Sequence, residues 1–167
     1  MLVRIATAAL VTFLAATTAG AAPAAPAFRV QLLDRAETVD SREHFGERVI
    51  VLRFQASWCK RCVAESAALS RLADRYRARG VEVLALHVQD TAADVRRFMR
   101  AQKPRYGVAL DPRLAVGNNF GFKGTPYTVV IDRKGEMVAQ IHGAAAVTRL
   151  PRILDALLAT GATARSR

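Results

Sequence analysis

Cysteine and histidine are scarce in this chain of 167 residues, which contains only two cysteines and three histidines. A closed zinc site needs four ligands, so Cys59 and Cys62 would have to recruit two of His44, His87 and His142, none of which has motif spacing to them. Copper binding by the cysteine pair with His142 stays open as an alternative. A structural disulfide is also open, although closing so small a loop stabilises a fold by only about 2 kcal/mol. The scarcity therefore argues against a disulfide-stapled scaffold and favours a reversible redox pair.

Acidic residues are also few, with 14 Asp and Glu against 25 Lys and Arg, which gives a formal net charge of +11. A basic protein can bind nucleic acid, anionic membrane surfaces or acidic partners. The arginines here are scattered along the chain, and no basic cluster is interleaved with aromatic residues. We therefore predict a solvated basic surface and no nucleic-acid partner.

Long apolar runs are missing, since none reaches the ~20 residues that usually span a bilayer. Residues 5–16 form an almost unbroken apolar stretch, with Arg4 before it and the small residues Ala19-Gly20-Ala21 after it. This pattern is typical of a cleaved export signal over residues 1–21. An uncleaved anchor that tethers the protein to a membrane is the alternative. We expect the protein to work in the periplasm or on the outer face of the cytoplasmic membrane, where disulfides persist.

The rest of the chain predicts a single domain. Hydrophobic residues make up 51% of the sequence, which is enough for a sizeable core. Residues 22–27, with Pro23 and Pro26, indicate an extended Ala/Pro linker. The folded domain is expected over residues 28–160, followed by a loose polar tail over 161–167.

Hydrophobic periodicity predicts alternating strands and helices. Helices should follow the second and third strands, a short helix should run from Asp111-Pro112 to near Gly121, and Thr148 should cap the last helix. Residues 34–47 are predicted to be irregular. This order is typical of an α/β sandwich with about four core strands. The predicted strands are 29–33, 49–55, 81–88, 128–131 and 137–141, the last two joined as a hairpin.

The segment Trp58-Cys59-Lys60-Arg61-Cys62 lies where a buried strand is expected to meet a helix. A helix N-terminus offers unpaired N–H groups and the positive end of the helix dipole. Both stabilise a thiolate, which is the nucleophile in disulfide exchange. We therefore assign Cys59, at the exposed start of the helix, as the attacking sulfur and Cys62, one turn inside, as the resolving sulfur. Exchange would run through a mixed disulfide between Cys59 and its partner.

These residues resemble the thioredoxin superfamily, and in particular the TlpA/ResA-like exported thiol–disulfide oxidoreductases. Residues 54–59 read F-Q-A-S-W-C and are similar to the family's F-W-A-S-W-C, with Gln55 in place of a tryptophan. Glu65 matches the glutamate that often follows the second cysteine by three positions. Gly124-Thr125-Pro126-Tyr127-Thr128 is similar to the family's G-T-P segment before a hairpin. The resemblance covers residues 49–158.

The resemblance implies a thioredoxin-like three-layer α/β/α sandwich with a central mixed sheet of four to five strands. It implies a cis peptide bond before Pro126, facing the cysteines, and substrate pairing with the exposed backbone of Thr125. It also implies a reductase, of the kind that reduces apocytochrome c, which needs no cofactor. Such an enzyme acts on protein thiols and disulfides and takes electrons from a membrane or periplasmic thiol donor. A peroxiredoxin-type peroxidase is disfavoured, because Ala56 stands where those enzymes have threonine or serine.

Three basic residues depart from the family pattern. Arg61 replaces the usual proline before the second cysteine, Lys60 precedes it, and Arg53 stands where thioredoxins place a buried acid. Cations near Cys59 favour its thiolate, which stabilises the reduced form and makes the disulfide more oxidising. The Glu65 carboxylate would oppose this effect. An oxidase or isomerase that donates disulfides is therefore the alternative to a reductase.

Overall fold

The structure, a computed structural model, describes residues 21–164. The predicted export signal lies outside these residues except for Ala21, and so do the last three residues of the predicted tail. Within the described part, no helix is both long enough and apolar enough to cross a membrane. The strands are β1 (Arg29–Gln31), β2 (Thr38–Asp40), β3 (Val49–Gln55), β4 (Val81–Val88), β5 (Gly107–Asp111), β6 (Tyr127–Ile131) and β7 (Met137–His142). The helices are α1 (Ser41–His44), α2 (Lys60–Arg77), α3 (Ala92–Gln102), α4 (Ala115–Asn119) and α5 (Ala146–Ala164).

Five strands form one mixed sheet in the order β5-β4-β3-β6-β7. β3, β4 and β5 are parallel, whereas β6 runs antiparallel to β3, and β7 runs antiparallel to β6. One apolar cluster joins one face of the sheet to α2, α3 and α5. The other joins the opposite face to the β1–β2 hairpin and to the α4 segment. The predicted three-layer fold with a mixed sheet of four to five strands is therefore confirmed.

β3 is buried on both faces, and its side chains alternate between the two clusters. Val49 and Val51 contribute to the cluster on the α2 side, while Ile50, Leu52 and Phe54 contribute to the other. Because successive side chains point to opposite faces, Arg53 and Gln55 lie on the α2 side. The central strand thus carries two polar side chains towards the helix that bears the cysteines.

The prediction missed three elements. The segment 34–47, predicted to be irregular, contains β2 and α1, and residues 107–111 form the edge strand β5. β5 is short and begins with Gly107, where a β-carbon would lie 2.7 Å from a Leu84 methyl carbon. A five-residue strand opening on glycine carries too weak a pattern to stand out in sequence.

Two predicted helix starts were wrong. Asp111 is the last residue of β5, and α4 begins only at Ala115. The Asp111 carboxylate still caps α4, because it accepts the N–H groups of Val116 and Gly117 at 3.2 and 2.7 Å. α5 begins at Ala146, ahead of the predicted cap Thr148, and continues to Ala164, into the segment predicted as a loose tail.

The Ala/Pro segment 22–27 is tied to the hairpin that connects β6 and β7. The N–H of Ala25 donates to the carbonyl of Gly135 at 2.7 Å, and the N–H of Met137 donates to the carbonyl of Pro23 at 2.8 Å. The predicted linker therefore packs as part of the domain.

Candidate active site

Cys59 and Cys62 form a disulfide at the N-terminus of α2, directly after β3. Cys59 is the N-cap of the helix, and its Sγ accepts the N–H of Cys62 at 3.2 Å. Cys59 is 7% exposed and Cys62 is 1% exposed, and both pack against Ala56. The expectation of an exposed Cys59 therefore does not hold in the disulfide form, because its sulfur turns inwards to Cys62. Cys59 remains the more accessible of the two.

The surface beside the disulfide combines one aromatic ring with two cations. Trp58 is 59% exposed and is the one large apolar side chain exposed within residues 21–160. Lys60 and Arg61 are exposed in the first turn of α2, which contains no acidic residue. The guanidinium of Arg61 lies beside Gly143, 4.0 Å from where a β-carbon at that residue would sit.

The Pro126 loop lies at the same edge of the sheet as the disulfide. The Thr125–Pro126 peptide bond is cis, as the resemblance implies. Pairing of Tyr127 with Phe54 places the start of β6 beside the end of β3, where the cysteine loop begins. The N–H of Gly143 donates to the Pro126 carbonyl at 2.8 Å. Among the described residues, neither the N–H nor the C=O of Thr125 has a hydrogen-bond partner.

Arg53 on β3 and Glu65 on α2 form an ion pair. Arg53 has 0% exposure on β3, and the Glu65 side chain on α2 is 16% exposed. A second contact joins Arg53 Nη1 to Thr128 Oγ1 at 3.4 Å, while Nε has no partner in the described part of the chain. The expectation that Glu65 opposes the cations beside Cys59 therefore needs correction, because its charge is already balanced by Arg53.

A second buried polar group was missed by the sequence analysis. His87 on β4 pairs in register with Gln55 on β3, and their Nε2 atoms lie 2.9 Å apart. His87 Nδ1 lies 2.7 Å from the Asp90 carboxylate. Asp90 in turn accepts the N–H of Ser57 at 2.7 Å and its hydroxyl at 2.8 Å. The chain of contacts links β3 and β4 to the loop just before Cys59.

Burial lowers the pKa of His87, and the nearby Asp90 carboxylate offsets this only in part. The imidazole is therefore neutral at pH 7, and both contacts are satisfied when Nδ1 carries the proton. Nδ1–H then donates to Asp90, while Nε2 accepts from the Gln55 amide. The sequence signal was available in principle, because Gln55 and His87 are polar residues near the ends of two strands that are mainly apolar.

The histidines do not join the cysteines in a metal site within residues 21–164, where no group of three or more His, Cys, Asp and Glu side chains is arranged to hold an ion. The ring of His142 stacks on Tyr127 with centroids 4.4 Å apart. The arrangement is instead suited to thiol chemistry, because a sulfur at a helix N-terminus has an N–H donor and a positive dipole beside it.

Comparison with known proteins matches this chain to a protein family and to individual relatives. The family model described as Redoxin matches residues 19–157. The thiol-disulfide oxidoreductase ResA of Bacillus thuringiensis strain Al Hakam is 31% identical over 94 residues, covering 56% of this chain and 54% of that protein. The chain thus spans about half the length of the curated relatives it matches.

Two solved structures are similar over most of the chain. A putative thiol:disulfide interchange protein DsbE from Chlorobium tepidum superposes with a TM-score of 0.75 and 26% identity, covering 83% of this chain and 98% of that one. A putative thioredoxin from Neisseria meningitidis has a TM-score of 0.72 and 28% identity, covering 81% and 90% of the two chains.

Replacing Arg53 with leucine should destabilise the fold, because it leaves the Glu65 carboxylate partly buried without its partner. We expect the free energy of unfolding in urea to fall by about 2–4 kcal/mol. The double variant Arg53→Leu/Glu65→Gln should recover part of that loss, since it removes both charges. Arg97→Leu breaks the exposed pair with Asp94 and serves as a control that costs less than about 1 kcal/mol. Equal losses in Arg53→Leu and Arg97→Leu would contradict the role assigned to the buried pair.

His87 should make stability depend on pH. Because burial lowers its pKa below the ordinary value of 6.5, the unfolded chain binds this proton more readily than the folded one. The stability that neutral His87 contributes is present above about pH 6.5 and is lost as the pH falls below that value. His87→Asn does not titrate, so its deficit in unfolding free energy should shrink between about pH 7.5 and pH 5. Urea titrations of the wild type and of His87→Asn at both pH values measure this deficit. A deficit that stays constant would show that His87 is not responsible for the pH dependence.

Proposed function

The chain belongs to the redoxin family, and on that premise we propose that it is an exported thiol–disulfide oxidoreductase that acts on proteins. The observation that carries the proposal is the Cys59–Cys62 disulfide at the N-terminus of α2, at the same edge of the sheet as Thr125, whose backbone has no hydrogen-bond partner among the described residues. No cofactor is needed, because the two sulfurs hold and release the electron pair themselves. The export proposal rests on the sequence of residues 1–21.

The proposed reaction has two exchange steps. The Cys59 thiolate, stabilised by the helix N-terminus, attacks one sulfur of a substrate disulfide and releases the other as a thiolate. Cys62 then loses its proton and attacks the sulfur of Cys59. The Cys59–Cys62 disulfide re-forms, and the substrate leaves with both sulfurs reduced. A thiol donor outside the cytoplasm reduces the disulfide again and completes the cycle.

Thr125 and Pro126 would hold the substrate during these steps. Proline has no N–H, and the N–H and C=O of Thr125, which have no partner in residues 21–164, can pair with an extended segment of the substrate, as an added strand does. The exposed ring of Trp58 offers an apolar contact next to the sulfurs. This arrangement favours protein substrates over small disulfides.

The finer proposal is that the protein works as a reductase, for example in cytochrome c maturation. Its support is the resemblance to the TlpA/ResA-like proteins, including the match to ResA. A disulfide donor of the oxidase or isomerase type is the second candidate. Its support is the Arg53–Glu65 pair, because it balances the charge of Glu65 and because the first turn of α2, which carries Lys60 and Arg61, contains no acidic residue.

The two cysteines should behave differently when replaced. Cys59→Ser should abolish reduction of a protein disulfide, because the attacking sulfur is gone. Cys62→Ser should accumulate a mixed disulfide with the substrate, because the resolving sulfur is gone. Both are measured with insulin as substrate, by turbidity and by non-reducing gels. Full activity of Cys59→Ser would exclude the assigned roles.

The reduction potential decides between reductase and disulfide donor. We expect a value near the ~−270 mV of thioredoxin, measured by equilibration with dithiothreitol on protein that begins at Ala22. A value near ~−120 mV would instead support the disulfide donor. Arg61→Pro should lower the potential by roughly 30 mV for each unit by which the pKa of the Cys59 thiol rises, because it removes one cation that stabilises the thiolate. An unchanged potential would show that Arg61 does not tune the pair.

A further inference from the structure

Several arginines at the end of the sheet where the parallel strands begin are paired with carboxylates. The pairs there are Arg48–Glu82, Arg77–Asp74, Arg105–Asp74 and Arg79–Asp155. The disulfide lies at the opposite end, where the parallel strands finish.

The carboxylates near the disulfide end are all engaged within the described residues. Glu65 and Asp94 are paired with arginines, and Asp90 and Asp111 are buried and accept hydrogen bonds, so these carboxylates offer little exposed negative charge to an incoming molecule. These groups are Glu65 with Arg53, Asp90 with His87 and Ser57, Asp94 with Thr91 and Arg97, and Asp111 with two N–H groups of α4.

Three cations at the same end have no such compensation. Lys60, Arg61 and Lys123 are exposed, and in residues 21–164 none of them takes part in an ion pair or a side-chain hydrogen bond. Lys60 and Arg61 lie between the two cysteines in sequence, and Lys123 lies two residues before Thr125. We call these three residues the cationic rim.

We propose that the cationic rim selects protein substrates whose reacting cysteine is flanked by acidic side chains. The proposal rests on the proposed function, since it describes the segment that would pair with Thr125. Arg61 lies beside Gly143, and the N–H of Gly143 donates to the Pro126 carbonyl. The Arg61 guanidinium therefore borders the loop along which the substrate segment would lie. Carboxylates on either side of the substrate cysteine would meet Lys60, Arg61 and Lys123 with complementary charge.

Charge complementarity of this kind mainly speeds the encounter between the protein and its substrate and orients the two molecules. Because the rim is exposed, its effect should weaken as salt shortens the screening length. Attraction to a substrate is separate from the effect of the same cations on the Cys59 thiolate. The two can be distinguished, because a change in thiolate reactivity alters the rate with every substrate, whereas the rim alters the ratio between substrates.

The test uses three peptides, each with a single cysteine blocked as the same mixed disulfide. Two glutamates, two glutamines or two lysines flank the cysteine, and exchange with the reduced protein is followed by the release of the blocking thiol. Hydroxyethyl disulfide, which is uncharged, reports the reactivity of Cys59 itself. At about 20 mM salt we expect the acidic peptide to react about tenfold faster than the basic one, falling to roughly twofold at about 500 mM salt.

Charge reversal identifies the residues responsible. Lys60→Glu/Arg61→Glu should invert the order of the acidic and basic peptides, and Lys123→Glu should reduce the ratio without touching the cysteine motif. Arg71→Glu is the matched control, because Arg71 is exposed on α2 about three turns from Lys60. It changes the net charge as much as Lys123→Glu does and half as much as the double variant does, and it should leave the ratio as in the wild type.

Each outcome has one meaning. An acidic preference that inverts in the double variant and persists in Arg71→Glu supports the proposal. Equal rates for the three peptides at low salt, or the same ratio in the double variant as in the wild type, overturn it while leaving exchange activity intact. No exchange with any peptide or with hydroxyethyl disulfide overturns the proposed function itself, and the substrate selection falls with it.

Discussion

The candidate site depends on one constraint, which is that buried polar groups on β3 must find partners. Arg53 and Gln55 lie in a strand that is buried on both faces, where an unpaired charge or amide is costly. Arg53 reaches Glu65 on α2, and Gln55 reaches the imidazole of His87 on β4. Each contact ties β3 to a neighbouring element and so fixes the surroundings of the cysteines, while Arg53 Nε and Gln55 Oε1 have no partner among the described residues.

The network around His87 extends this constraint to the loop before the disulfide. Asp90 accepts both donors of Ser57, and Ser57 lies two residues before Cys59. The same interactions determine the electrostatics of the surface. Glu65 is balanced by Arg53 and Asp90 is buried, whereas the exposed cations beside the sulfurs are left without a partner within the described residues. The contacts that order the loop before Cys59 and the charge of the surface beside it therefore have the same structural origin.

Much of the fold was predictable, because its main elements carry strong local patterns. β4 has the predicted bounds Val81–Val88, and β3 has the predicted bounds Val49–Gln55, since both are short runs of mainly β-branched and apolar residues. In the structure Thr91 caps α3, and its side chain and that of Asp94 form a capping box. β5 and the true start of α4 were not predictable, because Gly107 interrupts the apolar pattern and Asp111 caps its helix from five residues away.

The sequence by itself determined the chemistry of the pair, because Trp58-Cys59-Lys60-Arg61-Cys62 follows a buried strand and opens a helix. It also indicated Pro126, through the G-T-P segment and its family resemblance. Only the tertiary structure decided which charges act on that chemistry. Arg53 and Glu65 are twelve positions apart, and His87 is far from both, so their contacts arise from strand register and helix packing. Local patterns specify elements, but the partners of a buried charge depend on which elements pack together.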